Sequence, residues 1–152
     1  VTEVVNKYKH EHDPSSDVYI GRGSKWGNPF VIGRDGTRDE VIEKYRNWIK
    51  GRRDLSLALD ELIGKTLVCF CRPQRCHGDV LVEMIDEWRL WKKTNLIAAC
   101  EEINRISSLW PALDTFNEPT QAQLDFAEKI WNDTAKKFGL DVDDLKTFYQ
   151  DY

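Results

Sequence analysis

Residues Lys65–Cys71, KTLVCFC, place the tightest limit on the fold. An unbroken apolar run of this length predicts a strand covered on both faces, which belongs in a parallel or mixed sheet. A helix is predicted to follow at about His77–Trp91, with Val80, Leu81, Met84, Ile85, Trp88 and Trp91 on its inner side. Strand, loop and helix in that order make half of a βαβ unit. Short strands are expected at Thr2–Asn6, Asp17–Ile20 and Phe30–Ile32. The expected fold is therefore α/β: a small Rossmann-like parallel or mixed sheet flanked by helices, with a C-terminal helical extension.

Thr37 followed by Glu40 forms a capping-box pattern. It should open a helix through Val41, Ile42, Tyr45, Trp48 and Ile49, which Gly51 ends. A second helix is expected over about Leu55–Ile63, stopping at Gly64. Downstream, helices are expected at Asn95–Leu109, broken by Trp110–Pro111, at Thr120–Phe138, closed by Gly139, and at Asp141–Tyr152. This divides the chain into an α/β core at about 1–93 and a helical extension at about 94–152. The extension carries Leu124, Phe126, Ile130, Trp131 and Phe138, which must pack on the core or on a partner. Trp48, Trp88, Trp91 and Trp131 sit at helical apolar spacing and read as core.

Charge is divided in the same way. Residues 1–93 carry 17 Lys and Arg against 15 Asp and Glu, whereas 94–152 carry 5 against 11. A mildly basic front half suits a phosphate-bearing ligand but is too weak for a duplex nucleic-acid surface. At 41% hydrophobic residues there is enough apolar material for a core. No run approaches the roughly 18 apolar residues that span a bilayer. The opening VTEVVNKYKHEHD has no apolar signal-peptide centre, so a cytoplasmic location is expected. Four cysteines are too few for a disulfide scaffold, and three crowd into eight positions.

Two segments carry chemistry. In Gly21–Phe30, GRGSKWGNPF, three glycines permit close ligand approach, and backbone amides in such a turn can form an anion nest. Arg22, Gly23, Ser24 and Lys25 suit an anion, Trp26 offers a stacking face, and Asn28 can read an amide-like or base edge. The alternative is a tight turn with Trp26 in the core. Neither a Walker loop nor GxGxxG is present.

The second segment, Cys69–Asp79, CFCRPQRCHGD, runs from the carboxyl end of the buried strand to a helix start, where α/β sheets bind ligands. Three readings stay open. One is zinc on Cys69, Cys71, Cys76 and His77, although the spacing lacks paired CxxC knuckles and adjacent Cys76 and His77 rarely serve one ion together. The second is catalysis: a Cys71 or Cys76 thiolate stabilised by the helix dipole, Arg72 and Arg75, His77 as acid or base, and Asp79 orienting it or accepting a proton. The third is structural, with small buried cysteines and Asp79 capping the helix. Gly78, at the helix start, would offer N–H groups to phosphate. Cys100 reads as packing, and His10 and His12 as solvated loop residues.

The chain resembles a family of small bacterial and phage proteins, the domain of unknown function numbered 4326, from about Glu3 to Glu87. The resemblance rests on Val4–Asn6 (VVN), Gly21–Phe30 (GRGSxWGNPF) and Cys69–Asp79 (CxCxPxxCHGD). The CHGD part is also similar to the CHR segment of another small α/β family. The resemblance implies that both motifs form one site, and phage occurrence implies a setting in nucleotide metabolism, DNA modification or counter-defence.

Together these features predict a nucleotide- or nucleoside-directed enzyme. Group transfer or hydrolysis would occur at a glycosidic or phosphate bond. Cys71, Cys76, His77 and Asp79 would react, and Arg22, Gly23, Ser24, Lys25, Trp26, Asn28, Arg72 and Gly78 would bind. No metal ligand or cofactor is assigned on this reading, with zinc as the alternative. The rival is a non-catalytic module that sequesters or senses a nucleotide-like ligand. A third reading is an interaction domain, with a protein partner or self-association through the extension. Nucleic acid is the less favoured ligand, and no membrane association is expected.

Overall fold

The computed structural model describes residues 1–108 and 119–152. It is an α/β structure with three parallel strands: β1 (Glu3–Asn6), β2 (Asp17–Tyr19) and β3 (Thr66–Cys69). The order is β1-β3-β2, so the apolar run lies in the central strand. Val4 pairs with Leu67 on one side, and Val18 pairs with Leu67 on the other. That placement explains why Leu67, Val68 and Cys69 are buried and why the run does not alternate. All three strands point the same way, so Asn6, Tyr19 and Cys69 emerge at one edge of the sheet. Both chemistry-bearing segments leave from that edge.

Helices of the same part of the chain flank this sheet. Thr37 and Glu40 form a reciprocal capping box that opens α1 (Arg38–Lys50), and Gly51 ends it. α1 buries Val41, Ile42, Tyr45 and Ile49, as its spacing predicts. The expected second helix is divided into α2 (Arg53–Leu57) and a 3-10 turn at Leu59–Leu62. The expected strand at Phe30–Ile32 does not form. Asp35 instead accepts the Val31 N–H at 2.7 Å and closes a loop, leaving one isolated bridge between Ile32 and Gly36.

α3 (His77–Ser108) is one helix where two were expected. Lys92, Lys93 and Thr94 include no glycine or proline, so nothing stops the helix there. The break expected at Trp110–Pro111 lies outside the described residues. α4 (Gln121–Phe138) is opened by a capping box between Thr120 and Gln123 and closed by Gly139 in the left-handed region at φ 67°. α5 (Val142–Asp151) is capped by Asp141, which accepts the N–H groups of Asp143 and Asp144.

The chain forms two compact units, Val1–Trp88 and Arg89–Tyr152. The core of the first gathers Ile20, Trp26, Tyr45, Leu67, Leu81 and Ile85, among others. The core of the second gathers Leu96, Ala99, Cys100, Ile103, Ala135 and Leu145. Cys100 is thus a packing residue. Several apolar residues read as core, or expected to pack on the core or a partner, are not enclosed. Trp48, Trp88 and Trp131 are half-buried, Trp91 is 39% exposed, and Leu124 and Phe126 are exposed. Indole and guanidinium groups explain two of these. The Trp88 Nε1–H donates to Asp60 at 2.8 Å, and the Arg52 guanidinium covers the Trp48 ring at 5.2 Å. No helix among the described residues is long and apolar enough to cross a membrane.

Candidate functional site

Gly21–Phe30 follows β2 directly and folds into a turn that satisfies itself. The Ser24 N–H and hydroxyl both donate to Gly21 O, at 3.1 and 2.9 Å, and the Gly27 N–H donates to Ser24 O at 3.1 Å. These donors face inward, so they do not form the anion nest expected of this segment. Gly27 is required for close approach, since a Cβ there would sit 2.7 Å from Gly21 O. Gly23 adopts φ 91°, a conformation that favours glycine.

Trp26 is a core residue. It is 2% exposed and lines no cavity on this face, so its ring cannot stack on a ligand. The buried Tyr45 hydroxyl donates to Trp26 O at 2.7 Å and ties the turn to α1. Burial pushes the Tyr45 hydroxyl well above its ordinary range, so it stays a donor. Asn28 is also occupied. Its Nδ2 donates to Val41 O at 3.1 Å, and its Oδ1 accepts the Phe30 N–H at 2.8 Å. It orders the loop at the border of the cavity, with both ends of its amide engaged. Lys25 pairs with Glu61. Among the described residues, the exposed Arg22 guanidinium has no hydrogen bond or ion pair.

The cysteine segment is held from behind. The Asn6 side-chain amide donates to Phe70 O at 3.1 Å and Arg72 O at 2.6 Å, while its Oδ1 accepts the Tyr8 N–H at 2.9 Å. Two of these bonds fix the chain as it leaves β3, and the third holds the turn after β1. Asp79 accepts from the Arg72 guanidinium and from the Cys76 N–H at 2.9 Å. Arg72 Nε also donates to Val4 O at 3.2 Å. Arg72 and Asp79 therefore brace the start of α3, as the structural reading of Asp79 as a helix cap expects. Gly78 is likewise structural. Its N–H donates to Cys76 Sγ at 3.3 Å, and a Cβ would meet Ile20 Cδ1 at 2.8 Å and Val4 Cγ1 at 2.9 Å. Only glycine lets the helix start sit this close to the sheet, and its N–H is not presented to a phosphate.

One cavity of about 370 Å³ joins the two segments. Gly21, Arg22 and Asn28 border it from the first, and Cys69, Cys71, Cys76 and His77 from the second. Tyr19, Phe30 and Phe70 supply aromatic walls, and Arg38, in the first turn of α1, supplies a second cation. Gly23, Ser24 and Lys25 line a separate, shallower groove beside Arg22. Sequence reasoning missed Tyr19, Phe30, Arg38 and Phe70. The phenylalanine between two cysteines was a signal available at Phe70, since it lies one residue beyond the end of the strand. Arg38 carries no local signal, because its direction depends on how α1 packs.

The buried end of the cavity is a sulfur and imidazole cluster. Cys69 and Cys76 are 2% and 1% exposed, His77 is 6% exposed, and Cys71 is half-buried. One ligand atom from each of Cys69, Cys76 and His77 lies within 4.8 Å of the others, so these three could hold a metal ion. His77 Nε2 lies 2.7 Å from Ile20 O. A carbonyl only accepts, so Nε2 carries the proton and Nδ1 keeps the lone pair. Burial holds the His77 pKa below its ordinary value, against the pull of that hydrogen bond, so the ring is neutral.

Cys71 is held well below the ordinary thiol range. Hydrogen bonds from the Cys69 and Cys76 thiols do most of this, and the Arg38 guanidinium adds to it. Cys69 and Cys76 are pushed up in turn, so of the three thiols Cys71, the sulfur nearest solvent, gives up its proton most readily. The two loop histidines are not simply solvated. His10 Nε2 and His12 Nδ1 lie 2.8 and 2.9 Å from the Asp17 carboxylate, well apart from this cluster in sequence.

Residues 4–87 match the Domain of unknown function (DUF4326) family. An uncharacterised 12.4 kDa protein in the nrdA-td intergenic region of Enterobacteria phage T4 is 38% identical over 94 residues, covering 59% of this chain and 80% of that protein. An uncharacterised protein of Acanthamoeba polyphaga mimivirus is 35% identical over 98 residues, covering 53% of this chain and 75% of that protein. No solved structure matches the chain. The chain belongs to the Domain of unknown function (DUF4326) family, and both motifs lie inside the matched residues.

Proposed function

We propose that this member of the DUF4326 family is an enzyme acting on a nucleotide- or nucleoside-like ligand bound in the cavity between its two motifs. The observation that carries the reading is the cavity of about 370 Å³, bordered by Arg22 on one side and by the Cys71 cluster on the other. That volume lies in the range of small-ligand sites. Its position at the carboxyl edge of a parallel sheet is the usual one for such sites.

Arg22 and Arg38 bind the anionic part of the ligand, and Tyr19, Phe30 and Phe70 take the planar part that Trp26 cannot. Cys71 is the reacting group. Its charge and its access to the cavity fit nucleophilic attack in group transfer or hydrolysis at a glycosidic or phosphate bond. Cys69, Cys76 and His77 lie beside it at the buried end of the cavity.

The test is a thermal-shift screen against nucleotides, nucleosides and sugar nucleotides, followed by product analysis. A ligand at a hundredfold excess over its dissociation constant should stabilise the protein by about 2.7 kcal/mol. Cys71→Ser should abolish product formation and leave binding within about tenfold. Binding without turnover of any ligand in the panel would favour the sequestering or sensing module instead. No stabilisation by any ligand class would refute the cleft as a nucleotide-like site.

A further inference from the structure

We infer that Cys69, Cys76 and His77 form a zinc site whose fourth position opens on the cavity beside Cys71. Two soft sulfur ligands and one imidazole are a donor set that zinc prefers over the hard divalent cations. Their ligand atoms already lie within 4.8 Å of one another. Tetrahedral zinc, with bonds of about 2.3 Å to sulfur and 2.0–2.1 Å to nitrogen, needs separations a little below 4 Å. A contraction of at most about 1.3 Å in any one separation closes the site on an ion.

The histidine is prepared for this role. Its Nε2–H is committed to Ile20 O at 2.7 Å, which fixes the ring and leaves Nδ1 as the nitrogen with a free lone pair. A backbone carbonyl holding the far nitrogen is the usual support of a metal-bound imidazole. The adjacency of Cys76 and His77 does not prevent convergence. Cys76 precedes the helix and its sulfur accepts the Gly78 N–H, so it has cap geometry, whereas His77 is the first helical residue. The third ligand comes from the end of β3, seven positions earlier. The cluster is thus assembled by the strand exit and the helix start, each braced by Asn6 or Asp79.

Binding is a proton exchange. As zinc bonds the Cys69 and Cys76 sulfurs, each thiol proton leaves to solvent, and neutral Nδ1 donates its lone pair without releasing one. Cys71 completes the picture from the cavity side. It is half-buried and borders the same cavity as the three ligands, but is not one of the group within 4.8 Å. Three protein ligands with an open position are the pattern of a zinc ion that acts on substrate.

The inference depends on the cluster and not on the identity of the cavity ligand, so metal binding and nucleotide-like binding fail or succeed separately. The test uses the full chain, stripped of metal under reducing conditions and reloaded with Zn²⁺ or Co²⁺. Wild type should hold one zinc per chain after dialysis. Its cobalt form should show thiolate charge-transfer absorption and the intense visible bands of tetrahedral Co²⁺. Cys71→Ser and Cys100→Ser should keep the metal, whereas Cys69→Ser, Cys76→Ser and His77→Ala should each weaken it at least tenfold, with circular dichroism confirming the fold. A wild-type chain that holds no zinc and gives no tetrahedral cobalt signature overturns the inference without reference to any variant. Loss of zinc in Cys71→Ser overturns the open fourth position, because Cys71 is then a ligand.

Discussion

Tyr45→Phe removes one oxygen atom and tests whether the glycine-rich turn is built as described. The Tyr45 hydroxyl donates to Trp26 O at 2.7 Å, and the two residues are 0% and 2% exposed. Water cannot replace the lost donor at such a site, so the Trp26 carbonyl is left buried and unsatisfied. That costs about 1–3 kcal/mol, reduced somewhat because phenylalanine is the more apolar ring. A net loss of about 1–2 kcal/mol is expected. For a unit of this size each kcal/mol corresponds to about 4–8 °C in the midpoint. The assay is thermal and urea unfolding of wild type, Tyr45→Phe and Tyr8→Phe, with amide exchange to locate the change. Tyr8 is 84% exposed and serves as the neutral control. Exchange should accelerate in the 21–30 turn and the middle of α1. A loss under about 0.5 kcal/mol, the size of a surface change, would refute the claim that this bond anchors the turn.

Asn6→Asp replaces the donor facing Phe70 O and Arg72 O with a carboxylate, which should cost about 1–3 kcal/mol and make Cys71 react faster with an alkylating probe; an unchanged alkylation rate would show that Asn6 does not hold the cysteine segment. Gly78→Ala should destabilise by about 1–2 kcal/mol in urea titrations, because overpacking against Ile20 and Val4 outweighs the helix-propensity gain, and neutrality or stabilisation would contradict the close helix-to-sheet approach. Asp35 is held at about 2, below its ordinary 3.8, first by its hydrogen bond from Arg34 and then by the Val31 N–H. Its folded pKa is depressed, so its contribution is complete above pH 3.8 and is lost as pH falls towards 2. The stability gap between wild type and Asp35→Asn should therefore close over that interval, and a gap independent of pH would refute the role of the carboxylate. Arg22→Ala should weaken an anionic cavity ligand about tenfold to a hundredfold, read by calorimetry, while leaving the unfolding midpoint within about 0.5 kcal/mol.

Legibility varied with how far each signal depended on distant neighbours. KTLVCFC was readable because burial on both faces leaves a continuous apolar run, and β3 does lie between β1 and β2. The start of α1 was readable because a capping box is local. Phe30–Ile32 misled because three apolar residues look alike in a strand and in a loop, and the deciding carboxylate of Asp35 lies outside that triplet. Trp26 misled for a related reason. Glycines on either side suggest an exposed loop, while its partner Tyr45 is 19 residues away. That the two motifs border one cavity was legible, since both leave strands at the same sheet edge. Which of their side chains enter it was not. Lys25, Asn28, Arg72 and Asp79 are taken up by neighbours, whereas Arg38 and Tyr19 arrive from an adjoining helix and strand. The convergence of Cys69 with Cys76 and His77 follows from a strand end meeting a helix start, which linear spacing does not encode.

The most direct measurement is a residue-resolved footprint of a bound ligand. Isotope-labelled protein would be titrated with nucleotides, nucleosides and sugar nucleotides, and backbone amide shifts followed. The account predicts that one ligand moves the Gly21–Arg22 and Phe70–His77 resonances together, with a common dissociation constant, and that Arg22→Ala weakens both sets equally. Perturbation of one segment without the other, or of neither by any ligand in the panel, would contradict it.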